Sequence, residues 1–120
     1  VWNIPYNGLT TILRTDTAAL MSDPNTRQLV ERIMWEVVAD ARACGVPVGE
    51  EIVARMLRST EGTPPYRPSM KIDFDEHRPL EVETMFGNPL RAAQKGGAKS
   101  PLIEMLYRQL QFLNRRSASV

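Results

Sequence analysis

A single uninterrupted helical repeat, opened by Asp23-Pro24 and closed by Gly45 and Pro47, constrains this chain more than any other feature. Asp23 is placed to cap the first free N–H groups of a helix. Pro24 suits the first turn, where its missing N–H costs nothing. Leu29, Val30, Ile33, Met34, Val37, Val38 and Ala41 then recur at helical spacing and form a broad apolar stripe. Gly45 fits the left-handed residue past the last turn, and Pro47 cannot continue the helix. Such a helix of roughly twenty residues is about 30 Å long, close to the diameter of a small domain. The other elements must pack around it.

Those elements are helical too, since the 3.6-residue period holds nearly everywhere and no strand alternation appears. A first helix is predicted over Trp2–Leu13, with Ile4, Leu9, Ile12 and Leu13 apolar and Pro5 tolerated near its start. A third runs from about Val48 to Arg58, with Ile52, Val53, Met56 and Leu57 inward. Glu61-Gly62-Thr63-Pro64-Pro65-Tyr66 breaks the pattern. Short helical turns around 69–76 follow, then a helix from about Pro79 that Gly87-Asn88-Pro89 interrupts or kinks and Gly96-Gly97 ends. Ser100-Pro101 reads as cap and first residue of a last helix, with Leu102, Leu106, Leu110 and Leu113 on one face. That face suits either the core or a subunit interface. The expectation is an all-α domain of six to seven helices, bundle-like around the 23–44 helix. Met34, Trp35, Met56, Met85, Phe86, Met105 and Tyr107 sit at helical spacings and are read as core, with Met85 and Phe86 also placed to face a cleft.

Composition narrows function mainly by exclusion. At 120 residues the chain is one domain, and 42% hydrophobic with 24% charged is ordinary for a globular protein. A net charge of +1 with dispersed basic residues argues against a nucleic-acid or membrane partner. Arg115-Arg116 reads as a solvated pair. No apolar run reaches the ~18–20 residues of a membrane span, and no secretory signal is visible. The lone Cys44 allows no internal disulfide, which favours a reducing, cytoplasmic setting. Its place near the end of an apolar-periodic helix suggests a buried or inert thiol. His77, the only histidine, reads as a surface residue among Asp75, Glu76 and Arg78. No metal-ligand spacing, phosphate-cradling glycine loop or dinucleotide fingerprint is present.

What remains is a set of uncharged and acidic polar groups. Asn3 and Asn7 lie four apart, so on a helix they share one face. Each carboxamide offers two donors and an acceptor and does not titrate near neutrality. From spacing alone they read as exposed helix residues, while donors of this kind also suit a carbonyl oxygen that gains charge during a reaction. Pro68-Ser69-Met70 reads as a helix start with a hydroxyl at its head, where backbone N–H groups favour anions. Glu81 lies in the first turn of the next predicted helix, a position the macrodipole also favours.

The strings Trp2-Asn3-Ile4-Pro5-Tyr6-Asn7-Gly8-Leu9 and Tyr66–Asn88 resemble the C-terminal domain of the ketopantoate reductase family, the 2-dehydropantoate 2-reductases. The resemblance implies a helical domain like the C-terminal domain of 6-phosphogluconate dehydrogenase, covering residues 1–116, with 117–120 a tail. In that family a helix carries Lys-x3-Asn-x3-Asn, and Asn3 and Asn7 match the two substrate-holding asparagines. The general-acid lysine then belongs two residues before Val1. Ser69 matches the serine that hydrogen-bonds the substrate carboxylate. Glu81, twelve residues later, matches a glutamate that supports the lysine and binds the nicotinamide ribose. A third family asparagine falls at Thr17, with Asp16 beside it, so Thr17 is a weaker substrate position.

The resemblance further implies an NADP(H)-dependent reduction of ketopantoate to pantoate, on the way to coenzyme A. The cofactor would be bound mainly by an N-terminal Rossmann domain outside this chain, and the fragment alone would be inactive. A homodimer is left open. Two rivals stand beside this reading: a reductase of another 2-keto acid, and a non-catalytic helical dimerisation or ligand-binding module. A lysine two residues before Val1, with a glycine fingerprint further upstream, would separate the enzyme from the module.

Overall fold

The computed structural model describes residues 2–118. Among them the chain is all-helical, with no strand and seven α-helices: α1 Asn3–Leu13, α2 Thr17–Ser22, α3 Pro24–Ala43, α4 Glu51–Thr60, α5 Ser69–Asp75, α6 Asn88–Lys95 and α7 Pro101–Ala118. A π-helical turn, Glu83–Gly87, leads directly into α6.

As expected, α3 is the central element, and it packs against α1, α2, α4, α6 and α7. The Asp23 carboxylate accepts from the Asn25 N–H at 2.8 Å, and Gly45 takes φ +84° just past the helix. Val30, Ile33, Met34 and Val38 are buried, and they join Tyr6, Leu20, Val53, Met70, Phe86, Leu106 and Leu110 in one core. The stripe is narrower than the sequence suggests. Leu29 and Trp35 sit at its edges and are 36% and 40% exposed. Each lies ~100° around the helix from a buried neighbour, Val30 or Met34. Met105 is half exposed for the same reason beside Leu106, and Cys44 is exposed just past α3 rather than buried.

Helix α2 was not anticipated. Six residues are too few to show a period, and its signal is one cap: Asp16, in extended backbone, accepts from Ala19 N–H at 2.9 Å. Its Leu20 and Met21 are buried. The third predicted helix starts at Glu51 rather than Val48. The Val48 carbonyl is instead held by the Arg42 guanidinium at 2.8 and 3.1 Å. Gly87-Asn88-Pro89 produces a change of pitch rather than a break. Pro89 has no N–H to donate, and Asn88 N–H reaches five residues back to the Glu83 carbonyl.

The start of α7 is capped from across the core. Glu36 on α3 accepts from the N–H groups of Leu102 and Ile103 at 3.0–3.1 Å. Ser100 donates its hydroxyl to Asp40, one turn further along α3. Asp40 is 9% exposed, and burial pushes its carboxyl pKa up while the Ser100 bond pulls it back. The last helix continues through Ala118, so residues 117 and 118 of the expected tail are helical. Val1, Ser119 and Val120 lie outside the described residues. No described helix is long and apolar enough to cross a membrane.

Thr11 is buried on α1 and its hydroxyl has no hydrogen-bond partner among the described residues. Thr11→Val exchanges that hydroxyl for a methyl of nearly the same size. It should raise unfolding free energy by about 1 kcal/mol in urea denaturation, because no bond is lost and an unpaired polar group is removed.

Candidate substrate-binding surface

The two carboxamides of α1 have different fates. Asn3 is exposed, and its side chain makes no hydrogen bond among the described residues. Asn7 is 2% exposed, and both its Nδ2 and its Oδ1 are bonded. Its Nδ2 donates to the Asn3 carbonyl at 2.9 Å, and its Oδ1 accepts from the Met70 N–H at 3.0 Å. Asn7 therefore joins elements 63 residues apart. It uses one of the free N–H groups at the start of α5 and fixes that helix against α1.

Ser69 is the residue immediately before that anchor. Pro68 is the cap position and Ser69 the first residue of α5, so its hydroxyl is not used for capping. It is exposed and has no partner among the described residues. Asn7 thus brings the Ser69 turn against the helix that carries Asn3. Two uncommitted polar side chains face solvent on either side of one buried clamp.

Glu81 lies on the next segment. Leu80 and Val82 on either side are buried, while Glu81 is exposed and its carboxylate has no partner among the described residues. Leu80 N–H donates to Asn114 Oδ1 of α7 at 2.9 Å, and the predicted helix from Pro79 begins only after Glu81. The π-turn that follows carries Phe86, which is fully buried rather than facing a cleft; Met85 is partly buried. Phe86 rests on Gly8, where a Cβ would come within 3.2 Å of the ring and 3.3 Å of Leu106. Glycine at position 8 lets the turn after Glu81 approach α1 beside Asn7.

Glu83 ties the same turn to its neighbours. Its carboxylate accepts from Tyr107 Oη, Gln111 Nε2 and, at 2.8 Å, Arg91 Nη2. The Tyr107 bond first, then Arg91, holds the carboxyl below the usual glutamate range. A carboxyl whose pKa is depressed on folding stabilises the fold above its unfolded pKa. That contribution is lost as pH falls through the folded pKa. Glu83→Gln should therefore be less stable than the parent at pH 7. The gap should close as pH drops below about 4.3, the ordinary glutamate value, in denaturation curves at several pH values.

Thr17 is enclosed rather than exposed. It is buried at the start of α2, its Oγ1 unpartnered, while its N–H donates to the Tyr66 carbonyl at 3.0 Å. It lines a groove of about 390 Å³ with Trp2, Thr60, Pro65 and Tyr66. The Trp2 indole N–H closes one wall by donating to Thr60 Oγ1 at 2.9 Å. Asp16, its neighbour, is spent on capping α2. A larger groove of about 550 Å³, lined by Arg14, Phe74, His77 and Phe112, lies at the opposite end of α1 from Asn3. Sequence reading missed Tyr107, Gln111 and Asn114 around the Glu81 segment. Their partners lie 24–34 residues away, and no local spacing signals them. Among the described residues no His, Cys, Asp or Glu group is arranged to hold a metal ion.

The class these features define is an all-helical domain that presents an amide, a hydroxyl and a carboxylate from elements packed on one helix. The family described as Ketopantoate reductase PanE/ApbA C terminal matches residues 1–114, and the chain belongs to it. A 2-dehydropantoate 2-reductase of Nostoc sp. is 51% identical over 117 residues, which are 98% of this chain and 37% of that protein. The crystal structure of 2-dehydropantoate 2-reductase from Geobacter metallireducens superposes with a TM-score of 0.89 at 38% identity, over 92% of this chain and 38% of that one. A dimeric ketopantoate reductase from Staphylococcus aureus gives 0.88 at 26% identity, over 97% and 41%. The chain thus spans about two fifths of the length of the relatives it matches.

Proposed function

We propose that this chain is the substrate-side domain of an NADPH-dependent 2-dehydropantoate 2-reductase, which reduces ketopantoate to pantoate for coenzyme A synthesis in the cytoplasm. The observation that carries the reading is the Asn7 clamp. It sets Ser69 against α1 while the polar groups of Ser69 and Asn3 stay exposed and unspent. Those two donors suit the carboxylate and hydroxyl of ketopantoate. Asn7 acts by holding both elements in register. A bound nicotinamide would supply the hydride for the carbonyl carbon, which these residues hold and orient.

Glu81 fits the ribose side of that cofactor. It is a free carboxylate, flanked by buried neighbours, able to accept from ribose hydroxyls and to keep a facing lysine protonated and oriented. The family resemblance assigns the pyrophosphate to a Rossmann domain and proton donation to a lysine outside this chain. The isolated domain is accordingly inactive. The reading includes a homodimer, as the Staphylococcus aureus ketopantoate reductase is dimeric.

One observation favours a related substrate. Thr17 stands where the family has an amide, and its buried hydroxyl cannot offer the donors an asparagine would. The test is NADPH oxidation by the protein that includes the preceding domain, with ketopantoate and a panel of other 2-keto acids. Turnover with ketopantoate supports the proposal in full. Turnover only with another keto acid keeps the reductase and changes its substrate. NADPH binding without turnover on any of them, or no NADPH binding, contradicts it in favour of the non-catalytic module.

A further inference from the structure

Glu81 is held by α7, and one residue of that helix stands out. Tyr107, Gln111 and Asn114 are spaced four and three apart, so they form one face of α7. That face meets the chain on both sides of Glu81. Asn114 Oδ1 takes the Leu80 N–H at 2.9 Å, and Tyr107 and Gln111 take the Glu83 carboxylate. The Asn114 bond joins groups 34 residues apart, and it ties down the backbone one residue before Glu81. Leu80 and Val82 are buried, so the only freedom left to the exposed side chain between them is its own rotation.

Resting on the function proposed above, we infer that Asn114 is a positioning residue for Glu81. Its carboxamide oxygen fixes the Pro79–Leu80 peptide, one residue ahead of Glu81, and so aims the carboxylate at the nicotinamide nucleotide. Asn114 touches neither substrate nor cofactor. Its effect passes through Glu81, which distinguishes it from a residue that merely adds stability.

The experiment uses the protein with its preceding domain and measures kcat and both KM values. Asn114→Ala should raise the nicotinamide-nucleotide KM about fivefold, the order expected from one lost hydrogen bond, and leave the keto-acid KM within about twofold. Asn114→Asp, which keeps the accepting oxygen, should restore most of the loss. In a Glu81→Ala background, Asn114→Ala should add less than about a twofold change, because the group it positions is gone. Asn114→Gln, which moves the amide out by one methylene, carries the same comparison if the alanine variant does not fold. An unchanged nucleotide KM overturns the inference. So does a parallel rise in both KM values, or a full Asn114→Ala effect that persists without Glu81. If the unsubstituted protein turns over no 2-keto acid, the function proposed above fails first, and this inference with it.

Discussion

Replacing Asn7 by alanine should lower unfolding free energy by about 2–3 kcal/mol, one of the larger losses available from a single polar side chain here. Both of its bonds disappear. The Met70 N–H is left buried at the start of α5 with no acceptor. The loss is greater than the net value of one hydrogen bond because the orphaned donor retains its desolvation cost. Asn7→Asp should fall between parent and alanine. It keeps the oxygen for Met70 but turns a carboxylate toward the Asn3 carbonyl. Urea denaturation of the three proteins gives that order directly. A loss below about 0.5 kcal/mol for alanine would mean that water replaces the amide and that α5 is held by other contacts. An activity drop in an Asn7 variant therefore mixes a displaced Ser69 with a missing amide, and the exposed Asn3 is the cleaner probe.

Phe86→Ala should cost about 3–5 kcal/mol, the range for deleting a fully buried aromatic ring. The ring fills the space between Gly8 and Leu106, and neither can expand to replace it. The π-turn is anchored on its other side by the Glu83 bonds, which resist collapse into the void. Thermal or urea unfolding measures the cost. A loss near 1 kcal/mol would show that α1 and the turn close together after all. Because this contact joins the Glu81 segment to α1, a folded Phe86→Leu variant should also weaken nucleotide binding more than Gly8-distant core changes such as Val53→Ala.

The long helices could be read from the sequence because they carry enough turns to show a period and had caps at their ends. Asp23-Pro24 with Gly45 bounds α3; Pro101 opens α7, but its cap is Glu36, and the Ser100 hydroxyl expected there goes to Asp40 instead. The six-residue α2 could not be read that way. Which apolar residue lies at the edge of a stripe was also hidden. Trp35 and Met105 have the right spacing and the wrong azimuth, and only the packed neighbours decide that.

At the site, sequence pattern gave the residue types but not their state. Two asparagines four apart look alike in the chain, yet Asn3 is exposed and unspent while Asn7 is buried and doubly bonded. Long-range caps left no trace either. Glu36 on α3 receives the N–H groups of Leu102 and Ile103, and Asn114 receives that of Leu80, across 34 to 67 residues of chain.

The measurement that bears most directly on the account is the kcat/KM for a reduced 2-keto acid in the protein with its preceding domain, compared with Asn3→Ala and Ser69→Ala. Both side chains are exposed and make no bond within the described fold, so neither change should move the melting temperature. The account predicts that each lowers kcat/KM at least about tenfold, the loss of a charge-assisted hydrogen bond to substrate, while the nucleotide KM stays put. Wild-type kcat/KM in both variants would contradict it and place the substrate away from the α1–α5 surface.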